Sequence, residues 1–555
     1  MVLGARTTSL IILLCSFAVA QDAKTFITLD SFDGSDGAYP HNSPVQGIDG
    51  NLYGTSTGQG IDQGTVYKIT PTGTLTRLYS FCSLPSCMDG DWPWGQLTLG
   101  MDGAFYGTTT MGGTECQPWG CGTVYKITQS GAHFPLHSFD GTDGFSPSGE
   151  LVQARDGNFY GTTSWGGAND AGTIFKITSN GTFTTLYNFC AQPGCTDGSH
   201  PYAGLVQARD ENFYGMTEAG GDTNCNPNTG CGTVFRITAT GKLSTLHTFE
   251  LTDGSLPGSS LVAGTDGNFY GVTPEGGKQC PFYHTCGTFS RITAEGAFTS
   301  LYSFENSGGD GAAPWAISLG SDGNFFGTTN TGAGGGGTIF QVTPGGMLTT
   351  LHTFLMLQNG LNPAAGVSQA NTGLLYGSTY TGGSYDWGTI YSLDVGLPPF
   401  VSLLPNWGKV GTSRGILGQG FTGTTAVSFN GIPASFTVVS DTFLKTTVPA
   451  GATTGAVSVT TPSGTLSSKV PFGVLPVILS FDPPSGPIGT KVKITGSSLT
   501  QTLHVAFGDR VPAKFRPDSD TQVTAIVPAG AKTGRIGIET EGGIAASTGI
   551  FTVTQ

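Results

Sequence analysis

Between about residues 40 and 395, apolar and polar positions alternate in short runs, the period-two signature of half-buried strands. The stretch 151–189, LVQARDGNFYGTTSWGGANDAGTIFKITSNGTFTTLYNF, is one complete unit of this pattern. It predicts a first strand over 151–155, a two-residue type I′ turn at Asp156-Gly157 and a second strand over 159–164. A loop opening with Gly166-Gly167 leads to a third strand over 173–178, and Asn180-Gly181 turns the chain into a fourth over 182–189. The aromatic-glycine pair of the second strand recurs with Tyr53, Tyr106, Tyr160, Tyr214, Tyr270, Phe326 and Tyr376, at spacings of 53, 54, 54, 56, 56 and 50 residues. A period of this length marks a repeat architecture. Four antiparallel strands per unit, with no helix, describe a propeller blade.

A solenoid of such units needs no closing device, and this chain carries one. The seventh unit ends after its third strand, at Leu393, with no fourth strand behind it. The missing piece stands before the first unit, where FITLDSF at 26–32 matches the fourth strand of the others. Pairing the two would remove edges that otherwise template aggregation. The expectation is an all-β chain: a seven-bladed β-propeller over 21–397, closed by the strand 26–32, then two immunoglobulin-like β-sandwich domains over 398–475 and 476–555.

Those last two segments share a pattern of their own. The second reads PVILSFDPPSGPIGTKVKITGSSL, then VAFGDRVPAKF, then TQVTAIVPAGAKTGRIGIET. The first carries the matching Gly411-Thr412, Ile416-Leu417-Gly418, Val427 to Gly431 and Thr447 to Gly455. Both segments resemble the IPT/TIG immunoglobulin-like domain, the first departing only at Leu417, where Thr is usual. The resemblance implies spacer, adhesion or binding roles and brings no catalytic residues. The seven repeats, with DGNFYGTTS followed by GTIFKIT, resemble the GloVer tandem-repeat family of exported bacterial proteins. That resemblance implies the repeat fold and export, and carries no activity over. One copy departs at Asp210-Glu211, where Glu replaces the turn glycine, so a different hairpin is expected there.

Composition sharpens the setting. Residues 1–20 carry Arg6, an apolar run from Leu10 to Ala18, and Ala18-Val19-Ala20 ahead of Gln21, the form of a secretory signal peptide. Leu14 before Cys15 fits a lipoprotein box poorly, and no other apolar stretch is long enough for a transmembrane segment. A secreted or cell-surface protein is expected. Ten cysteines follow the signal in five close pairs, Cys82/Cys87, Cys116/Cys121, Cys190/Cys195, Cys225/Cys231 and Cys280/Cys286, which reads as local disulfides in an exported chain. No pair has zinc-binding Cys-x-x-Cys spacing. Residues 21–397 hold 11 Lys and Arg against 30 Asp and Glu, while residues 398–555 hold 11 against 7. So acidic a propeller is a poor nucleic-acid binder, because phosphate contacts need cations.

In such a blade the tight turns lie on one face, and the variable second-to-third loops and blade connections lie on the other. All five cysteine pairs and the six propeller tryptophans (Trp92, Trp94, Trp119, Trp165, Trp315, Trp387) belong to the variable face, where function concentrates. Blade two is the richest: Trp92, Trp94 and Trp119, with Asp89, Asp91 and Glu115 as acceptors beside them, form the candidate ligand site, two disulfides bracing its loops. The blade connections repeat [Asp/Asn]-Gly-x-x-Pro from Asp36, Asp89, Asp143, Asp197, Asp253, Asp310 and Asn359. This reads as turn chemistry, with calcium the sharper alternative. Gln46, Gln153, Gln207 and Gln369 share a first-strand position facing the channel, and Tyr79, His137, Tyr187, His247, Tyr302 and His352 share a fourth-strand position that reads as packing. No nucleophile, metalloprotease or phosphate-loop motif occurs, and no catalytic or metal-binding residue is assigned. The expected function is non-catalytic binding of an extracellular glycan or protein, with the sandwiches as spacers. The rivals are a carbohydrate-active enzyme using loop-face carboxylates (Glu115, Asp170, Glu218, Glu275, Asp386) and a structural extracellular component.

Overall fold

The computed structural model describes residues 24–58, 63–222, 225, 229–277, 286–305, 309–332, 334–355, 357–363, 365–508 and 510–555. The expected signal peptide and Cys280 lie outside them. Among the described residues no helix is long and apolar enough to cross a membrane.

Among the described residues the repeats form propeller-like four-stranded antiparallel sheets, seven of them over Thr25–Asp394. The unit at 151–189 gives strands Val152–Gln153, Phe159–Thr163, Thr173–Ile177 and Phe183–Asn188, paired in chain order. The second and third strands are buried on both faces, beyond the half-burial that alternation suggests. The cause is face-to-face packing of neighbouring sheets. Tyr106 stacks on Phe159 of the next repeat with centroids 3.9 Å apart, and Tyr160 on Phe213 at 4.2 Å. The first strand pairs over only two residues in six of the sheets, and Ala312–Leu319 is the long exception.

The tight turns differ from expectation. Gly157 N–H bonds the Ala154 carbonyl at 2.9 Å and Gly157 alone in the turn has positive φ (+83°), so the hairpin has a three-residue loop ending in a left-handed glycine. Asp156 explains the preference: its carboxylate accepts from Asn158 N–H and from the Tyr160 hydroxyl at 2.9 Å, which favours a wider turn than type I′. Glu211 takes the same place at φ +65°, and the hairpin keeps its shape despite the missing glycine.

Strand Thr25–Ser31 pairs antiparallel with Thr389–Asp394, beside Leu375–Thr379 and Ser368–Gln369. The first and last repeats also touch at the inner strands, through Ser43 Oγ to the Ala365 carbonyl (3.0 Å) and Asn371 N–H to Gln46 Oε1 (2.8 Å).

Four of the five expected cysteine pairs are present as local disulfides: Cys82–Cys87, Cys116–Cys121, Cys190–Cys195 and Cys225–Cys231. The fifth pair, Cys280/Cys286, is described at one end only. Cys286 is buried, 5% exposed, and disulfide-bonded, while the partner expected for it lies outside the described residues.

From Ser402 onward, among the described residues, two sandwiches share one topology. Strands Ser402–Leu404, Ser413–Leu417, Phe443–Thr447 and Phe436–Ser440 make one sheet, and Ile432–Pro433, Ala426–Phe429, Val457–Thr461 and Gly464–Ser467 the other. The second sandwich repeats this order from Val477–Asp482 onward. Alternation returns in the central strands: in Lys491–Ser497 valine, isoleucine and glycine face inward and the residues between them outward. The sandwiches dock on the tight-turn face of the propeller. Thr442 Oγ1 bonds the Ile48 carbonyl at 2.9 Å, Arg155 reaches the Gly542 carbonyl at 3.0 Å, and Val470 packs on the cluster containing Ile317 and Leu319. They are therefore bonded to the propeller as well as following it in sequence.

Candidate functional site

The loop face is organised by the recurring [Asp/Asn]-Gly-x-x-Pro connection. Its glycine must be glycine: Gly90 sits at φ +102°, and a Cβ there would lie 2.7 Å from Thr109 Oγ1. That threonine belongs to a buried hydroxyl pair with Thr123 at 2.8 Å, repeated in every sheet down to Thr379 and Thr389 at 2.9 Å. The acidic residue is spent on the fourth strand. Asp89, Asp197 and Asp310 accept from the hydroxyls of Tyr79, Tyr187 and Tyr302 at 2.7, 2.8 and 2.9 Å. Asp143 and Asp253 pair with His137 and His247 at 2.7 and 3.0 Å. The two rings that look separate in sequence are one device, closed from behind by the next repeat, as where Phe183 stacks on His137 at 3.9 Å. These carboxylates thus serve turn and strand donors. Among the described residues no group of three or more His, Cys, Asp or Glu is disposed to hold a metal ion.

The device changes in the last two sheets. In the sixth, Asn359 stands where the others have Asp, and His352 Nε2 has no hydrogen-bond partner among the described residues. In the seventh, Asp30 replaces the Tyr or His and works against Asp36, whose carboxyl is pushed up to about 6 chiefly by burial, with Asp33 and Asp30 adding.

The residue before each proline holds φ between 53° and 57° at Tyr39, Trp92, Ser146, His200, Leu256, Ala313 and Asn362. Non-glycine residues adopt this left-handed conformation only where surrounding bonds impose it. Trp92 N–H bonds the Gln63 carbonyl at 3.0 Å and its carbonyl accepts from Thr110 N–H at 3.0 Å. A rigid frame of Asp, Gly and Pro therefore presents a variable side chain at seven equivalent places.

In blade two the connection and the second-to-third loop meet, as their shared face implies. Asp91 and Met111 exchange backbone bonds, and Gly113 N–H bonds the Cys87 carbonyl at 2.9 Å. Disulfides Cys82–Cys87 and Cys116–Cys121 clamp both loops. Trp92 and Trp119 stand out at 39% and 77% exposed. Glu115 is exposed and accepts from Thr114 Oγ1 at 3.3 Å. Asp91 is pushed up to about 6 by burial, and its Oδ1 has no hydrogen-bond partner among the described residues. The other two expected members lie elsewhere. Asp89 is buried and saturated by Tyr79, Ser83 and Leu84, and Trp94 turns into the channel.

There Trp94 is the inner end of an aromatic chain that the sequence reading did not assemble. Trp387 meets Tyr39 at 5.3 Å, Tyr39 meets Tyr380 at 4.9 Å, Tyr380 meets His41 at 4.5 Å, and His41 stacks on Trp94 at 3.7 Å. Burial pushes the His41 imidazole down to about 3, so it is neutral. Tyr202 stands edge-on to Trp94 at 6.3 Å. His41, Trp94, Tyr202 and Trp315 each follow the motif proline directly, which is the sequence signal that could have found them. They line a cavity of about 230 Å³ to which all seven repeats contribute.

Other expected positions resolve as structure. The channel glutamines bridge repeats: Gln153 Oε1 accepts from Met101 N–H at 2.8 Å while its Nε2 reaches the Gly157 carbonyl at 3.1 Å. Asp170 and Asp386 accept from Gly166 and Gly382 N–H within their own loops. Glu218 is pushed up by burial and then by the charge of Glu275 in the next repeat.

Comparison with known proteins agrees with this architecture. An IPT/TIG domain model matches residues 476–553, and the first sandwich has the same topology. No curated protein matches the chain. Solved structures that resemble it include a fungal alcohol oxidase of the AA5 family in complex with copper, 13% identical with TM-score 0.40, covering 96% of this chain and 99% of its own. A protein from Lactobacillus plantarum is 16% identical with TM-score 0.40, covering 72% and 96%. A luciferin-regenerating enzyme is 15% identical with TM-score 0.35, covering 54% and 89%. Likenesses this distant carry no argument about function. The Gloeobacter/Verrucomicrobia repeat model matches residues 15–227 and 223–396, most of the chain, and the protein belongs to that repeat family.

Proposed function

We propose that this is an exported, non-catalytic binding protein, a seven-bladed ring whose loop face is the ligand platform, with a glycan as the ligand class. The propeller would span 21–397 and the sandwiches 398–475 and 476–555, holding the tight-turn face against the body of the protein. The signal-like sequence at 1–20 and the local disulfides support export into an oxidising compartment. One observation carries the binding reading: Trp92 and Trp119 are exposed on two loops that are bridged to each other and each closed by a disulfide. Rigid loops lower the ordering cost of binding, and aromatic faces with Asp91 and Glu115 alongside suit sugar rings and their hydroxyls. Truncating such an anchor costs about 2 kcal/mol at a binding hot spot. A glycan array probed with wild type and with Trp92→Ala/Trp119→Ala tests it: wild type binds a defined glycan set and the variant loses it. Equal binding by both, or none by wild type, refutes the platform.

The Glu218 and Glu275 neighbourhood favours a second reading, a carbohydrate-active enzyme with Glu218 as the acid. Release of reducing ends from a polysaccharide by wild type, abolished in Glu218→Gln, would replace the binding reading.

A further inference from the structure

On the tight-turn face, a cleft of about 670 Å³ lies where the third to sixth repeats meet both sandwiches. The propeller contributes Arg155, Arg209 and Arg236 to its lining, three of the five arginines between residues 21 and 397. The fold does not require two of them. The position of Arg155 and Arg209 is held by Ile48, Met101, Thr265, Ser321 and Asn371 in the other repeats. Its structural duty belongs to the backbone: the N–H groups of Met101, Arg155, Ser321 and Asn371 each donate to a glutamine of the neighbouring repeat, at 2.8 or 2.9 Å, whatever the side chain. Arginine at this position in two adjacent repeats therefore has another cause.

The guanidiniums are largely unspent. Arg155 donates Nη1 to the Gly542 carbonyl at 3.0 Å, while its Nε and Nη2 are solvent-accessible and have no acceptor among the described residues. Arg209 is exposed, and among the described residues no ion pair involves any of the three arginines. Burial lowers the Arg155 guanidinium below its ordinary value; Glu211 and Asp210 oppose this, and the charge of Arg209 adds to it. Two like charges held close in a partly desolvated cleft are a cost that a bound anion would offset. The carboxylates of the lining do not supply that anion. Asp210 is engaged by Asn212 N–H and the Tyr214 hydroxyl, and Glu541 by Gln501 Nε2. Glu539, paired across the strands with His504 on the second sandwich, keeps its carboxylate free to accept from a ligand. The first sandwich adds the aromatic side chain of Trp407 to the lining. At about 670 Å³ the cleft falls within the roughly 300–1,000 Å³ of small-molecule sites, more than a lone anion fills.

We propose that this cleft binds an acidic sugar, a hexuronate or a short oligosaccharide containing one, with its carboxylate taken by Arg155 and Arg209 and a hydroxyl donated to Glu539. The planar guanidinium fork matches a carboxylate in shape as well as charge, which a lysine would not. The site lies on the face opposite the blade-two loops and stands independently of the platform proposed there.

The test is calorimetric titration of the chain lacking residues 1–20 with D-galacturonate, D-glucuronate and digalacturonate, beside neutral D-galactose and D-glucose. At least one acid binds at millimolar concentration or tighter, more weakly as ionic strength rises, and the neutral sugars bind at least roughly tenfold less well. Arg209→Gln weakens the acid roughly ten- to hundredfold, the ordinary worth of one hydrogen bond to a charged group. Arg155→Lys, which keeps the charge and loses the fork, also weakens it. Lys242→Gln removes an exposed charge from the same face outside the lining and leaves the affinity unaltered. No binding of any acid, equal binding of acid and neutral sugar, or an affinity unchanged in Arg209→Gln overturns the proposal. So does an equal loss in Lys242→Gln, which would reduce the effect to net charge. Full competition by sulfate at equal concentration overturns it as well, since the cleft would then be a non-selective anion site.

Discussion

Replacing Phe26 by alanine should loosen the seam of the ring. Phe26 lies on the strand Thr25–Ser31 and stacks on His352 of the sixth repeat with centroids 3.9 Å apart and planes 2° apart. It also meets Tyr391 at 5.2 Å and Phe354 at 5.6 Å. One side chain thus joins the N-terminal strand to two successive repeats. Burying most of a phenylalanine side chain, as here, contributes about 2 kcal/mol, and its ring contacts about 1 kcal/mol more. At roughly 2.1 cal/mol/K per residue, a cooperative unit of about 370 residues has an unfolding entropy near 0.8 kcal/mol/K, so a loss of about 3 kcal/mol lowers Tm by about 4 °C. Ile27 is the internal control, because it neighbours Phe26 on the same strand yet is 50% exposed. Thermal and guanidinium melts of Phe26→Ala, Ile27→Ala and wild type decide the matter. A Phe26→Ala melt no lower than that of Ile27→Ala would show that this strand does not hold the seam.

Asp197→Ala should be destabilising by about 2–4 kcal/mol, because it strands the Tyr187 hydroxyl and the Ala191 and Gln192 N–H groups together. A denaturant midpoint within error of wild type would count against the connection device. Asp36 sets a pH dependence: burial raises its folded carboxyl to about 6, so the folded state holds a proton that the unfolded state releases near 4. Stability contributed by that proton is present below about pH 4 and is lost as pH rises to 6. Asp36→Asn should flatten this stretch of the curve, and an unchanged slope across it would remove the argument. Peptide mapping of the non-reduced chain should place Cys286 in a bond with Cys280, the partner its spacing implies; a link from Cys286 to any other cysteine would break the rule of sequence-local pairs.

How legible was the chain? The repeat, the four strands and the missing fourth strand of the last unit were readable because they rest on local chemistry. Glycine and proline restrict φ at their own positions, and period-two alternation needs no distant partner. The turn type departs from the sequence expectation where a side chain intervenes, as Asp156 does by gathering Asn158 and Tyr160. Likewise Glu211 keeps the hairpin without glycine, since a single left-handed residue costs less than reorganising the pairing around it.

The site was only half readable. Loop membership predicted that the connection and loop of blade two would share a face, and Trp92 and Trp119 are exposed there. Nothing in the spacing of Asp89 told that its carboxylate is consumed by Tyr79, Ser83 and Leu84, because composition does not show whether an acceptor is free. Trp94, His41, Tyr202 and Tyr380 lie tens to hundreds of residues apart, and only the curvature of the ring brings them to one wall. The sequence by itself determined the strands, the turns and the frame that repeats them, since these follow from each residue's own conformational and hydration preferences. The tertiary structure decided which side chains converge and which donors remain unspent, since both depend on partners that neighbouring repeats supply.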